Sequence, residues 1–182
     1  VKDKKVVVIG GGDTAMDCVR TSVREGAQSV KCLYRRDEKN MPGSKKEVVN
    51  AKEEGVEFVF NVAPKSIKVE KDLAVAVELI ETTMSEADAS GRQKVVEKTG
   101  SEYLEEADVV ILALGFSPEV PAFLKELNVE TNSLGGIVID SSYKTSNKKV
   151  YAGGDCRRVA HLAVTAAVDG REAAKTIIKE LL

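Results

Sequence analysis

The hydrophobic pattern opens with a short continuous apolar run at residues 6–9, in which every position is Val or Ile. Such a run is typical of a strand that is buried on both faces of a sheet. A glycine-rich turn follows at once, and after it four apolar residues recur at the spacing of one helix face, namely Ala15, Met16, Val19 and Val23. Gly26 stands just past them, where a helix commonly ends. The pattern predicts a strand, a tight turn and an amphipathic helix.

The same order of elements then repeats. A second strand is predicted over residues 29–34, and a second helix runs from about Ser44 to Glu54 and stops at Gly55. Residues 56–62 alternate enough to form a third strand. A β-α-β-α-β order indicates a parallel sheet with right-handed crossover connections.

Beyond residue 62 the pattern changes. Three segments look like strands of an antiparallel meander, at residues 66–69, 74–83 and 94–97, with 87–92 as a polar turn. Because parallel strands normally need a crossover helix, we expect this meander to stand in for a helix of the regular fold. The remaining predicted elements are a buried strand at 108–114, a short helix at 122–127, strands at 137–140 and 150–152, and a final helix after about Leu162.

The glycine turn has the form Gly10-x-Gly12-x-x-Ala15. Gly10 permits the tight strand-to-helix turn, Gly12 lets the backbone approach a pyrophosphate, and Ala15 lets the helix pack closely on the sheet. The helix N-terminus would present N–H groups to the phosphates, with Asp13 supporting the local backbone as an N-terminal acid. The candidate pyrophosphate-binding residues are Gly10, Gly11, Gly12, Asp13, Thr14 and Ala15. The alternative is a packing turn without a ligand.

The end of the second strand distinguishes the two dinucleotides. An NAD site places Asp or Glu there for the ribose 2′-hydroxyl, whereas NADP needs cations for its 2′-phosphate. Here Arg35 and Arg36 follow the strand, and guanidinium groups can hold a phosphate through paired hydrogen bonds. Lys39 and Lys45 are candidate auxiliary cations. Because carboxylates follow the arginines directly, a solvated charge cluster is the alternative interpretation.

Two further residues, Ala113 and Gly115, end the strand predicted at 108–114. A glycine there lets the backbone approach a ligand at the carboxyl edge of the sheet, where the sites of α/β proteins lie. A plain strand terminator explains the same residues. No nucleophile–base pair stands out, so no catalytic residue and no metal site are predicted. His161, the single histidine, suits a helix cap or the surface.

Composition limits the partners and the compartment. The net charge is −2, which gives no global field that would recruit nucleic acid or an anionic membrane. No apolar run reaches the roughly 20 residues that span a bilayer, and no signal peptide is recognisable. Three widely spaced cysteines suit a reducing cytoplasm better than a disulfide framework. The absence of an initiator Met and the immediate start of a strand indicate a piece of a longer polypeptide.

Several motifs together resemble the glutamate synthase small (beta) subunit family, within the pyridine nucleotide-disulfide oxidoreductase superfamily that includes thioredoxin reductase. The matching stretches are residues 10–20, 34–37, 40–44, 53–56, 150–155 and 162–174. The resemblance implies an α/β fold. Residues 1–116 would form a Rossmann-like, three-layer NADPH-binding domain with a β-meander insertion, and 117–182 would be the C-terminal part of an FAD-binding domain.

The resemblance also implies cofactor contacts in the second part of the chain. In the family, the Gly-Asp pair that matches Gly154 and Asp155 meets the ribityl and phosphate region of FAD. The helix that begins near Thr165 points its amides toward the flavin ring. The thioredoxin reductase-like phosphate clamp has a third arginine where this chain has Asn40. The family's first glycine fingerprint, which holds the ADP part of FAD, and its N-terminal cysteine motifs are absent, so we expect no bound FAD and no activity of this chain alone.

The function implied by the resemblance is the transfer of hydride from NADPH to FAD and of electrons onward to iron–sulfur clusters. The partners would be the large (alpha) glutamate synthase subunit and the FAD and cluster domains missing from this chain. One alternative is the equivalent subunit of a ferredoxin:NADP transhydrogenase or a related dehydrogenase. The other is a nucleotide-binding module without electron transfer.

Overall fold

The computed structural model describes residues 1–86, 93–158 and 162–182. The polar turn predicted at 87–92 and His161 lie outside these described residues. The chain divides into two compact units, Val1–Gly115 and Phe116–Leu182. Each unit is described separately below.

The first unit contains a parallel sheet, two helices and an antiparallel meander. Its elements are, in chain order, β1 (Lys5–Ile9), α1 (Asp13–Arg24), β2 (Ser29–Tyr34), a 3-10 turn (Glu38–Asn40), α2 (Lys45–Glu53), β3 (Glu57–Phe60), β4 (Val62–Glu70), β5 (Leu73–Met84), β6 (Val95–Glu97), β7 (Tyr103–Glu106) and β8 (Val109–Leu112). The parallel sheet has the order β3-β2-β1-β8. The predicted α/β fold with a parallel sheet is confirmed.

The central strand β1 is buried on both faces because its side chains alternate between two apolar clusters. Val6 and Val8 pack in one cluster with residues of α1 and α2, among them Met16, Val19 and Ala51. Val7 and Ile9 pack in the other with Val62, Val77, Leu79 and Ala107 of the meander and its flanks. Helices, parallel sheet and meander therefore form three layers, and the meander replaces a crossover helix between β3 and β8, as predicted.

The third strand ends earlier than predicted. It covers Glu57–Phe60, and Asn61 then takes a φ of 56°, a left-handed conformation that Asn tolerates better than most residues. The chain turns there, and Val62 begins β4, which pairs antiparallel with β5. The predicted strand at 56–62 is thus wrong at its end, because Val62 is buried in the meander's cluster rather than in the parallel sheet.

Strand β7 is missing from the prediction. It pairs antiparallel with β5, but Leu104 is exposed and two of its four residues are glutamates. A short charged strand without a buried alternating face leaves no hydrophobic signal in the sequence.

The second unit contains α3 (Ala122–Glu126), a 3-10 turn (Gly154–Arg157) and α4 (Ala163–Leu181). In its described residues, the strands predicted at 137–140 and 150–152 are reduced to isolated bridges, Thr131–Ile137 and Lys144–Tyr151. One reason is that the Asp140 carboxylate accepts hydrogen bonds from the backbone of Ser142 and Lys144, which turns the chain. Among the residues described, no helix is long and apolar enough to cross a membrane.

Candidate dinucleotide-binding site

Gly10 lies where three parallel strands end together. Its N–H donates to the Leu33 carbonyl at 3.0 Å, and Ala113 N–H donates to the Ile9 carbonyl at 2.8 Å. The φ of Gly10 is +149°, and a Cβ on it would lie 2.3 Å from the Ala113 carbonyl oxygen. Only glycine fits between the ends of β2 and β8, so the predicted tight turn at the carboxyl edge has a direct steric cause.

The next two glycines face different surroundings. A Cβ on Gly11 would lie 2.5 Å from the Tyr34 ring, whereas a Cβ on Gly12 would meet nothing within 4 Å. Gly12 is the N-cap of α1 and has an extended backbone, with φ −90° and ψ −179°. Gly11 is therefore required by packing, and Gly12 leaves open space in front of the helix N-terminus.

The first turn of α1 is suited to an anion. Intrahelical hydrogen bonds begin at the N–H groups of Ala15 and Met16, both of which reach the Gly12 carbonyl. The N–H groups of Asp13 and Thr14 precede this pattern, as the first donors of a helix do. Thr14 is exposed and Ala15 is fully buried. The backbone donors, the helix dipole and the space at Gly12 together fit a pyrophosphate.

A loop at residues 41–44 lies directly against this turn. Gly43 N–H donates to the Gly11 carbonyl at 2.9 Å, and Ser44 N–H donates to Asp13 Oδ1 at 2.7 Å. Sequence reasoning did not single out Gly43 or Ser44 as part of the site. The small residue pair between Pro42 and the start of α2 is the signal that marks a close backbone approach.

The two carboxylates that follow Arg35 and Arg36 have other partners. Asp37 accepts from the backbone N–H of Asn40 at 2.9 Å and from its side-chain amide at 2.8 Å, and these hydrogen bonds hold the pKa of Asp37 below its usual value. Glu38 pairs with Lys52 at 2.7 Å. Neither carboxylate therefore neutralises the arginines, and the solvated charge cluster stays an alternative interpretation.

The arginines themselves have no ion-pair partner within the described part of the chain. Arg35 is exposed and Arg36 is half-buried, and Arg36 Nε is buried without a hydrogen-bond partner among the described residues. The backbone carbonyl of Arg35 accepts a hydrogen bond from the Thr82 hydroxyl. The backbone carbonyl of Arg36 accepts one from Asn61 N–H. The backbone is thus anchored to the meander, and no ion pair with a described residue holds either guanidinium group.

The remaining candidates of the first unit are less constrained. Lys39 and Lys45 are exposed, and neither forms an ion pair with a described residue. Ala113 is buried beside Gly10. Gly115 has a φ of +87°, and a Cβ on it would meet nothing within 4 Å, which fits both a ligand approach and a plain strand end.

In the second unit, Gly154 is held by a buried carboxylate. Its N–H donates to Asp169 Oδ2 at 2.8 Å, and Arg157 Nε donates to the same oxygen at 2.8 Å. Arg158 also pairs with Asp169. Hydrogen bonds from Arg157 and then Arg158 hold the pKa of Asp169 far below its usual range. Asp169 was not predicted, and an aspartate on the same helix face as Ala173, the other buried residue of α4, is the signal that finds it.

Asp155 and Thr165 lie near this group. Asp155 lines a cleft of about 280 Å³ together with Pro118, Leu124 and Ile137, all within the second unit. Thr165 lies in the first turn of α4, where its hydroxyl donates to the Leu162 carbonyl at 2.6 Å. The described residues contain no cluster of His, Cys, Asp or Glu that would hold a metal ion.

The fold and this site define a dinucleotide-dependent oxidoreductase class. The family model of pyridine nucleotide-disulphide oxidoreductases matches residues 1–170. The chain belongs to this family.

The particular relatives are more specific. The chain is 51% identical over 186 residues to the glutamate synthase [NADPH] small chain of Escherichia coli strain K12, covering 100% of this chain and 39% of that protein. It is 36% identical to the NADPH-Fe(3+) oxidoreductase subunit beta of Geobacter sulfurreducens, covering 98% of this chain and 30% of the other. The predicted resemblance to glutamate synthase small chains is confirmed, and the chain spans only about two fifths of their length.

Solved structures agree on the fold. The crystal structure of T. acidophilum thioredoxin reductase matches with a TM-score of 0.77 at 24% identity, covering 98% of this chain and 53% of that one. At this identity the match supports the Rossmann-like architecture and nothing about substrate.

Proposed function

We propose that this chain is the NADPH-binding portion of a flavoprotein oxidoreductase, in which hydride passes from NADPH to FAD and electrons continue to iron–sulfur clusters. One observation carries the proposal. Arg35 and Arg36 stand at the end of β2, beside the glycine turn, while the neighbouring carboxylates of Asp37 and Glu38 are bound elsewhere. Two cations at this place suit the 2′-phosphate that distinguishes NADPH from NADH.

Different residues of the first unit would bind different parts of the dinucleotide. The open space at Gly12 and the N–H groups of Asp13 and Thr14 would hold the pyrophosphate. Arg35 and Arg36 would hold the 2′-phosphate, with Lys39 as an auxiliary cation. When bound, NADPH supplies the hydride, and the protein supplies position and electrostatics.

For the second unit we propose that Gly154, Asp155 and Thr165 form one half of an FAD site. Gly154 N–H and Arg157 Nε both donate to the carboxylate of Asp169, and these hydrogen bonds hold the backbone of the Gly154–Asp155 pair in one conformation. The sequence contains a single Gly-x-Gly-x-x-Ala fingerprint, the one at Gly10–Ala15. The residues present therefore fit only part of the flavin. The chain covers 39% of the E. coli relative, and we propose that the remaining contacts come from a segment that matches the additional length of that relative.

For the whole protein we propose the role of a glutamate synthase small subunit with a large subunit as its electron acceptor, in the cytoplasm. The support is the identity of about one half to several proteins named as glutamate synthase small chains. The rival is another electron acceptor, favoured by the similarity to an NADPH-Fe(3+) oxidoreductase subunit. Purifying the full-length protein with its bound subunit distinguishes them, because a co-purifying large chain with glutamine-dependent activity supports the first.

The test of NADPH binding is calorimetry on this chain with NADPH and NADH. We expect NADPH to bind at least about tenfold more tightly, because each charge-assisted hydrogen bond to the 2′-phosphate contributes on the order of 1.5–3 kcal/mol. The double substitution Arg35→Ala with Arg36→Ala should abolish this preference and spare NADH.

The matched control removes two other cations, Lys2→Ala with Lys4→Ala. Both are exposed and precede β1, at the opposite edge of the parallel sheet. The control should keep the preference for NADPH, since the net charge changes equally but the strand end is intact. Equal affinities of the unmodified chain for NADPH and NADH would contradict the proposed role of the arginines.

A further inference from the structure

Two hydrogen bonds connect the loop at residues 41–44 to the glycine turn, and we call this pair the clasp. It consists of Gly43 N–H to the Gly11 carbonyl, at 2.9 Å, and Ser44 N–H to Asp13 Oδ1, at 2.7 Å. The approach is tight, because a Cβ on Gly43 would lie 3.0 Å from the Gly11 carbonyl oxygen. The two partners of the Asp13 bond are 31 positions apart in the chain.

The clasp closes one end of the segment that carries the cations. Arg35, Arg36 and Lys39 lie between the end of β2 and this loop. The other end is fixed at Tyr34, whose ring packs against Gly11 and whose hydroxyl donates to the Asn40 carbonyl at 2.8 Å. The segment is therefore attached to the glycine turn at both ends.

Asp13 suits the positive end of the helix dipole but is badly placed for binding an anion. It is an exposed acid in the first turn of α1, where its charge would repel the pyrophosphate of any dinucleotide. Pyrophosphate binding alone would favour a neutral residue there. The hydrogen bond to Ser44 gives the carboxylate a second use that offsets this cost.

We propose that Asp13 is a positioning residue for cofactor choice: through the clasp it sets the place of Arg35, Arg36 and Lys39 relative to the pyrophosphate turn. This inference rests on the proposed NADPH function. The pyrophosphate is common to NADPH and NADH, whereas the 2′-phosphate is present only in NADPH. Releasing the clasp leaves the cations on a more mobile segment, and ordering this segment costs free energy each time the cations bind a 2′-phosphate. Because only NADPH has this phosphate, the affinity for NADPH falls and the affinity for NADH does not.

The test compares the ratio of NADPH to NADH affinity across four variants of this chain, measured by calorimetry. Asp13→Ala removes both the charge and the acceptor, so NADH should bind somewhat more tightly and the ratio should fall about tenfold, the equivalent of one hydrogen bond of about 1.4 kcal/mol. Asp13→Asn keeps an acceptor for Ser44 N–H and removes the charge. Both dinucleotides should then bind more tightly with the ratio retained.

Two further variants separate the clasp from the charge. Gly43→Ala keeps Asp13 but pushes the loop away from the Gly11 carbonyl, so the ratio should fall as in Asp13→Ala. Asp17→Ala removes another exposed acid one turn further along α1 and should leave the ratio unchanged.

A ratio in Asp13→Ala equal to that of the unmodified chain overturns the proposal, and so does an equal fall in Asp17→Ala. Failure of the proposed function is seen separately, in the unmodified chain, as a ratio near one. In that case there is no preference for the clasp to set, and both proposals fail. Thermal melting of each variant shows that a changed ratio comes from a folded protein.

Discussion

Gly10 and Gly12 are two positions apart and serve different purposes. Gly10 is required by the fold, because any side chain would collide with the Ala113 carbonyl at the end of β8. Gly12 is not, since a methyl group there meets nothing within 4 Å and the backbone is in a conformation open to any residue. Packing therefore does not require a glycine at position 12, and the proposed pyrophosphate site gives a reason for it.

The substitution Gly12→Ala separates binding from stability. We expect the free energy of unfolding to fall by at most about 1 kcal/mol, the cost of a poorer N-cap. The affinities for NADPH and for NADH should both fall by about tenfold or more, because the methyl group occupies the place of the shared pyrophosphate. Urea unfolding and calorimetry measure the two effects.

The control for Gly12→Ala is Gly170→Ala in α4, where a methyl group also meets nothing within 4 Å. That variant should bind both dinucleotides normally and gain up to about 1 kcal/mol from better helix propensity. Normal binding by Gly12→Ala would show that the open space is not the pyrophosphate site.

Residue positions, as distinct from roles, were predictable where the chain order alone fixes the location. Arg35 and Arg36 follow the second strand of a glycine-fingerprint unit, so their place beside the turn could be inferred from the sequence. The partner of Asp13 could not, since Ser44 is distant in the chain and contributes only a backbone N–H. The small residues Gly43 and Ser44 indicate a close backbone approach but not its partner, so this contact required the structure.

Among the elements, those with a buried periodic face were predicted well. Strand β2 has the predicted bounds, and α1 buries Ala15, Met16 and Val19. The prediction missed β7, which is a strand because it pairs with β5 and not because it has a buried face. It also extended the third strand past Asn61, where a turn interrupts the apolar run. In the described residues of the second unit, the two segments predicted as strands take part in isolated bridges.

Asp169 of α4 binds Gly154, Arg157 and Arg158, and we expect the stability that these contacts provide to depend on pH. The arginine pairs place the pKa of Asp169 in the folded chain below its unfolded value of about 3.9. Its contribution to stability is therefore complete above about pH 4 to 5 and is lost as the pH falls below that range. Asp169→Asn should lower the melting temperature clearly at pH 7, and the gap to the unmodified chain should narrow toward pH 3.

The measurement is thermal unfolding of both proteins between pH 7 and pH 3. Glu126→Gln is a suitable control because Glu126 is an exposed acid in α3 of the same unit and takes no part in the Asp169 contacts described above. A melting-temperature gap for Asp169→Asn that is the same at pH 7 and pH 3 would contradict the assignment of the stabilisation to a charged carboxylate.

At the scale of the whole chain, the sequence predicted that a meander takes the place of a crossover helix but not which of its residues cover the second face of the sheet. The continuous apolar run of β1 implies burial on both sides, and helices account for one. The meander covers the other through Val77 and Leu79, which share a cluster with Val7 and Ile9. An alternating strand pattern shows that one face is buried and does not show against which partner.

Both apolar clusters described for β1 lie within the first unit, as do all residues proposed to bind NADPH. A fragment of residues 1–115 should therefore fold alone and bind NADPH with the affinity of the full chain to within about threefold, since domains carry their own core. Calorimetry and far-ultraviolet circular dichroism on the fragment check this expectation. The matched control is the fragment 116–182, which should bind neither dinucleotide. If the first fragment folds but loses NADPH, residues after Gly115 take part in the site, and the assignment of the dinucleotide to the first unit is wrong.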